Sequence, residues 1–289
     1  MNERPLPRRS YRPGVEISMV GLGGLVVGDV SQEQADRTVA RAVEAGVNYF
    51  DVAPTYGHAE ERLGPALAPF RDRCFLAGKT EKRRATDARA ALETTLKRLR
   101  TDHLDLYQLH GLTDVARDVD AAFARGGAME ALIEARQQGR ARFLGFSAHT
   151  IAAAETAMDR FDFDSILMPV HFVSWYRGHF GPRTLERAKA RGLTCLAIKA
   201  MAFRRYRDPD DPLRSRWAPC WYEPLSDPRV QELAVRFTLD RPVAALVPPG
   251  RADLFWRAVE IARAYRPLTE AEHTELQTVA AEVEPIFAA

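Results

Sequence analysis

Cysteine is nearly absent from this chain. Cys74, Cys195 and Cys220 are scattered over 289 residues with no CxxC pair, which excludes a disulfide framework and a cysteine-held metal cluster. An excess of one charge is lacking too. The formal net charge is +2, so there is no basic surplus to follow a nucleic-acid backbone. No apolar run approaches the roughly 20 residues that a spanning helix needs, and no membrane partner is expected. The opening segment MNERPLPRRS lacks the apolar middle of a secretory signal, so the expected location is the cytoplasm. Lysine is the scarcest charged residue, with five against thirty-six arginines. Arginine is therefore the general surface cation here, and a lysine at a special position calls for a reason.

The remainder is the profile of a globular protein. Hydrophobic residues make up 46% and charged residues 28%, and the length allows a large core. One domain over residues 1–289 is expected. Short β-branched or aromatic runs recur at Ile17–Leu22, Val47–Val52, Cys74–Lys79, Leu104–His110, Arg142–Ser147, Ser165–His171, Thr194–Lys199 and Val243–Val247. Amphipathic stretches lie between them. The clearest begins at Ser31, with Gln34 three residues on as in a capping box, and stops at Gly46. Others are expected over Arg89–Arg100, Met129–Gln138, Ile151–Arg160, Thr184–Arg191, Pro228–Asp240 and Asp253–Ala264. Eight strand–helix alternations predict an α/β fold, a parallel (β/α)8 TIM barrel rather than an open sheet. Ser10–Ile17, turning at Pro13-Gly14, predicts a short N-terminal hairpin capping the barrel floor. A long loop follows the seventh strand, Met201 to Asp227, and its aromatics favour an ordered lid or pocket wall.

Parallel barrels carry their chemistry at the C-terminal strand ends. Strand two ends in Asp51, with Tyr56 on the loop beyond it. Strand three ends in Lys79, strand four in His110, strand five in Ser147, strand six in His171 and strand seven in Lys199. Two of the five lysines thus fall at strand ends. A lysine at a barrel mouth needs a carboxylate to offset its desolvation, and Asp51 is placed to supply one. A phenol beside that ammonium is expected to have its pKa drawn down from about 10, making it a proton donor near neutral pH. His110 can donate a hydrogen bond to the same oxygen. Acid, phenol, ammonium and imidazole make a proton-delivery site for a carbonyl oxygen rather than a metal site or a nucleophile triad.

The segments FDVAPTYGHAEERLG, FLAGKT and LDLYQLHGL resemble the signature segments of the aldo-keto reductase superfamily. GRARFLGFSAH is similar to the fifth-strand segment of that family, and ALVPPG to its eighth-strand cofactor loop. The resemblance implies a catalytic tetrad of Asp51, Tyr56, Lys79 and His110 on a (β/α)8 barrel. It implies reduction of an aldehyde or ketone by hydride transfer from a nicotinamide cofactor, with Tyr56 as proton donor. NADP is the implied cofactor, with NAD as the other choice, and a small carbonyl compound is the implied substrate. The implied cofactor-binding residues are Gly23, Ser147, Met168, Lys199, Gly250 and Arg251.

The chain departs from the family pattern in places. Ser147 is followed by Ala148 where the family commonly has asparagine, and Met168 stands in a region where a glutamine is usual. The seventh strand reads AIKAM, without the aromatic residue that often stacks on nicotinamide. On charge grounds Lys199 fits a cofactor phosphate or a structural ion pair equally well. Trp175, Trp217 and Trp221 are slightly favoured as pocket lining, and His149 and His171 as pocket or loop residues. The alternative function is a non-catalytic cofactor-binding sensor or scaffold on the same fold.

Overall fold

The computed structural model describes residues 5–208 and 210–289; the first four residues of the polar opening segment and Pro209 of the long loop lie outside them. The chain opens with an antiparallel hairpin, β1 (Arg8–Arg12) and β2 (Val15–Ser18), turning at Gly14 with φ +76°. Eight parallel strands follow: β3 (Leu22–Gly23), β4 (Tyr49–Asp51), β5 (Phe75–Thr80), β6 (Leu104–Leu112), β7 (Ala141–Ala148), β8 (Ser165–Pro169), β9 (Thr194–Ile198) and, after two short strands in the long loop, β12 (Ala245–Val247). Each neighbours the next, from β3 to β12. Backbone bonds from Gly21 N–H to Leu246 O (2.9 Å) and from Leu246 N–H to Met19 O (2.9 Å) join β12 to the segment just before β3 and close the barrel. This is the expected (β/α)8 architecture.

The first strand departs from expectation. Ile17–Leu22 reads as one apolar run, but the structure divides it between the hairpin and the barrel. Ser18 marks the change of partner: its hydroxyl donates to Val20 O (2.8 Å), and its N–H donates to the Asn48 side chain (2.7 Å). Asn48, just before β4, also donates to Glu16 O (2.9 Å), latching the hairpin to the barrel. Tyr11 and Ile17 of the hairpin are buried among Tyr49, Phe75, Leu106, Leu167 and Leu196, which point inward. Tyr11 packs on Phe75 with ring centroids 4.6 Å apart, and its hydroxyl donates to Ser165 Oγ (2.9 Å). The hairpin therefore plugs the floor, and the opposite end is left for function.

The helices form the outer layer. Gln32–Glu44 has the capping box read from Ser31 and Gln34, and it buries Ala35, Val39 and Ala42. Gly46, at φ +97°, turns the chain out of that helix under the backbone of Leu6. Helices Ala85–Leu99, Ala128–Gln137, Ile151–Arg160, Pro182–Ala190, Pro228–Leu239 and Ala252–Arg263 match the remaining expected ones within a few residues. A further helix, Glu270–Ala281, was not expected, although Thr269 and Glu272 form a capping box at its start. The long loop is ordered by β10 (Ala202–Arg204) paired with β11 (Glu223–Pro224), and by the short helix Leu213–Arg216 between them. Among the described residues no helix is long and apolar enough to cross a membrane.

Candidate active site

Strand pleat decides which side chains reach the barrel interior, because alternate residues point to opposite faces. On β4 the inward residues are Tyr49 and Asp51. On β5 they are Phe75, Ala77 and Lys79, and on β6 Leu106, Gln108 and His110. Inter-strand register sets their heights: Asp51 pairs with Ala77, and Lys79 with Gln108. Lys79 thus stands one inward position above Asp51, within reach of it.

The two form a buried ion pair, with side-chain exposures of 0% and 3%. Lys79 Nζ bonds Asp51 Oδ1 and lies 3.3 Å from Val52 O. The second carboxylate oxygen receives the Tyr49 hydroxyl at 3.3 Å. That tyrosine lies two residues before Asp51, so period-two alternation places it on the same face. The same alternation marks it in the sequence. Burial pulls the Lys79 ammonium down, yet Asp51 and Tyr56 raise it further, and the balance lies above an ordinary lysine. It stays charged at neutral pH.

Tyr56 rises from the loop after β4, held where its N–H donates to Ala53 O (3.0 Å). Lys79 Nζ lies 5.2 Å from the centre of its ring, close enough for the ammonium charge to act on the hydroxyl. The expected lowering of the phenol pKa is not what results. Burial raises it, Lys79 lowers it, Asp51 raises it again, and the balance lies above an ordinary tyrosine. In this enclosed site desolvation of the phenolate outweighs the nearby ammonium, so Tyr56 holds its proton at neutral pH. His110 meets the Tyr56 ring edge-on, with centroids 5.8 Å apart. Burial, then the charge of Lys79, pushes its imidazole down to about 2, so it is neutral. Its Nδ1 is 3.3 Å from Glu81 Oε1 but outside hydrogen-bond geometry.

All four residues line one cavity of about 210 Å³, together with Gly23, Ser147, His149, Leu167, Ile198, Lys199, Val247 and Gly250. The long loop supplies the far wall through Pro219, Cys220, Trp221 and Tyr222. Sequence reasoning left Leu25, Leu167 and most of this wall unnamed. The Ser147 hydroxyl accepts the Gly111 N–H at 2.7 Å, and among the described residues nothing accepts its own proton. A carboxamide oxygen in the cavity would do so. With the apolar faces of Leu167, Ile198 and Val247 around it, the cavity fits the nicotinamide end of a dinucleotide. Gly250 is required where it stands: a Cβ there would meet Leu25 Cβ at 2.4 Å.

Other expected residues fall elsewhere. Met168 is buried among the residues that face the helices and does not line the cavity; the inward residue of β8 is its neighbour Leu167. Arg251 is not in the cavity wall either. Its guanidinium is held by Asp253 (2.9 and 3.0 Å) and donates to the carbonyls of Arg216 and Ala218 (3.1 and 3.2 Å). Lys199 does line the cavity, but as no part of an ion pair: no carboxylate reaches it among the described residues. His171 faces Ser174 (3.2 Å) away from the tetrad. Of the tryptophans only Trp221 lines the cavity, while Trp217 lies under Arg216 and Arg251, and Trp175 packs on Phe237. Phe287 folds back beside the mouth, stacked on His149 with centroids 5.7 Å apart.

Comparison with known proteins agrees with this geometry. A sequence model described as the aldo/keto reductase family matches residues 19–276. The chain is 32% identical over 162 residues to aldo-keto reductase YhdN of Bacillus subtilis, covering 50% of this chain and 47% of that protein. It is 37% identical over 139 residues to methylglyoxal reductase YeaE of Escherichia coli, covering 46% of each. The matches therefore span about half the length of these curated relatives. Among solved structures, aldo-keto reductase AKR11C1 of Bacillus halodurans in its holo form superposes with a TM-score of 0.73 at 22% identity, covering 95% of this chain and 96% of that one. The glycerol dehydrogenase AKR11B4 of Gluconobacter oxydans gives 0.70 at 23% identity over the full length of both chains. At such identities the structures speak for the fold, and the family model speaks for descent: the chain belongs to the aldo/keto reductase family.

Proposed function

We propose that this protein, as one barrel domain, is an NADP-dependent oxidoreductase that reduces an aldehyde or ketone to an alcohol, with Tyr56 as proton donor. The observation that carries the proposal is the meeting of a protonated phenol, a buried ammonium and a neutral imidazole at one end of one cavity. A bound nicotinamide cofactor supplies the hydride. Gly23, Ser147 and Gly250 would hold its nicotinamide end, Ser147 through its free hydroxyl proton.

The residues of the chain handle the oxygen. Neutral His110 donates a hydrogen bond to the carbonyl oxygen and fixes its direction; a charged imidazole is not available at working pH. Tyr56 gives its proton to that oxygen as negative charge develops there. The phenolate left behind faces Lys79, whose charge is held in place by Asp51. The ammonium thus acts on the product side of the proton transfer, where charge appears, rather than by ionising the phenol beforehand. The apolar wall of Trp221, Tyr222, Leu167 and Val247 limits water around these groups.

NADP is proposed over NAD because Arg251 offers a guanidinium in the loop after β12, although Asp253 competes for it. The proposed setting is the cytoplasm, which three unpaired thiols favour. Tyr56→Phe removes the donated proton together with its oxygen and keeps the ring in the cavity wall. It is expected to lower kcat for a test aldehyde by roughly 10²–10⁴-fold while NADPH still binds. Turnover equal to the parent would remove Tyr56 from the proposal.

A further inference from the structure

Lys199 is the cavity group that proton delivery leaves unexplained. It directly follows β9, and its backbone is left-handed, with φ +70° in a residue that is not glycine. Such a conformation costs on the order of 1 kcal/mol and recurs where function fixes a side chain. Its Nζ lies 4.8 Å from the ring centre of Tyr222 and 5.2 Å from that of Trp221. The charge is close enough to His110 and His149 to push both toward neutrality. No carboxylate answers it among the described residues. Burial draws the ammonium down to about 8, with the Cys220 thiol as the one opposing group, so it remains cationic at pH 7.

Charge around the cavity then fails to cancel. Asp51 is matched by Lys79, and the imidazoles are neutral, which leaves Lys199 as an uncompensated cation beside two aromatic rings. An enclosed, unpaired ammonium is costly in the empty protein, and a bound anion would recover that cost. A neutral aldehyde makes no use of it. The aromatic contacts hold the ammonium in position but supply no formal charge.

We propose that Lys199 seats an anionic oxygen group, a carboxylate or phosphate, and that this group belongs to the carbonyl substrate. The preferred substrates are then aldehydes or ketones bearing an acid. The proposal rests on the carbonyl-reductase reading and sharpens it. An anion of this class also occurs in the diphosphate of a dinucleotide cofactor, so the test separates the two sources.

With saturating NADPH at pH 7, kcat/KM is measured for 4-oxobutanoate and for butanal on the parent, Lys199→Met and Lys199→Arg, together with the NADPH Kd of each by fluorescence. The parent is expected to prefer the acid at least tenfold. That preference should fall at least tenfold in Lys199→Met and recover in Lys199→Arg. A parent that reduces both aldehydes equally overturns the proposal, and this outcome needs no variant to fold. A preference untouched by Lys199→Met overturns it as well. A tenfold weaker NADPH Kd in Lys199→Met with an unmoved preference assigns the seat to the cofactor and overturns the substrate assignment. Butanal turnover by the parent upholds carbonyl reduction whichever way the acid preference falls; turnover of neither aldehyde brings down both readings.

Discussion

Removing one partner of the Lys79–Asp51 pair tests the centre of the site through stability alone. Lys79→Met keeps much of the side-chain length and deletes the charge. It leaves the Asp51 carboxylate, 3% exposed, with the Tyr49 hydroxyl at 3.3 Å as its remaining side-chain donor. Stranding one charge of a buried pair typically costs about 3–5 kcal/mol, whereas replacing both partners by neutral groups is often close to neutral. Lys79→Met is therefore expected to lose about 3–5 kcal/mol, and the double variant Asp51→Asn/Lys79→Met to recover more than about 2 kcal/mol of it. At roughly 2–4 °C per kcal/mol in chains near this size, the single change should lower Tm by about 6–20 °C. Urea unfolding followed by circular dichroism, with calorimetry for Tm, measures both. A single variant within about 1 kcal/mol of the parent, or a double variant no more stable than the single, would refute the uncompensated-charge reasoning.

Three other outcomes are expected. Burial holds His110, His149 and His171 at about 2, about 4 and about 3, against 6.5 for a free imidazole. The unfolded chain therefore takes up protons first, so stability is complete above about pH 6.5 and falls as the pH drops toward the folded values, by about 2 kcal/mol per imidazole between pH 7 and pH 5. Equal urea midpoints at those two pH values would contradict it. Glu272 binds both guanidinium nitrogens of Arg236 at 2.9 and 2.8 Å, and the Arg236 side chain is 2% exposed. Glu232 at 2.9 Å and the carbonyls of Arg266 and Pro267 at 3.0 Å still answer that guanidinium, so Glu272→Ala should cost about 1–3 kcal/mol by urea unfolding, and no measurable loss would count against the pair. Fluorescence titration should find NADPH bound about tenfold more tightly than NADH, the difference vanishing in Arg251→Ala; equal affinities in the parent would remove the 2′-phosphate contact.

Local patterns were legible where neighbours in sequence are also neighbours in space. Ser31 and Gln34 announce a helix start because their partners are three residues apart, and the structure contains that capping box. Thr269 and Glu272 carry the same pattern, so the last helix was readable too. The apolar run Ile17–Leu22 misled for a physical reason. Hydrophobicity marks burial but not the partner, and the switch at Ser18 depends on Asn48, thirty residues away.

The order of strands and helices, the barrel that follows from it, and the acid, phenol, ammonium and imidazole at the strand ends were all present in the chain as a string. Alternation and strand-end chemistry are local, and they survive without knowledge of contacts. Three matters waited for the folded molecule. Leu167, not Met168, faces the cavity, because pleat parity is fixed only by the register with β7 and β9. Tyr56 keeps its proton because enclosure by distant segments outweighs the ammonium beside it. Among the described residues Lys199 stands without a carboxylate, because the acids of the long loop, such as Glu223 and Asp211, turn to Arg204 and to backbone N–H groups instead. Burial and pairing are sums over residues far apart in sequence, so they are settled only when the chain has closed on itself.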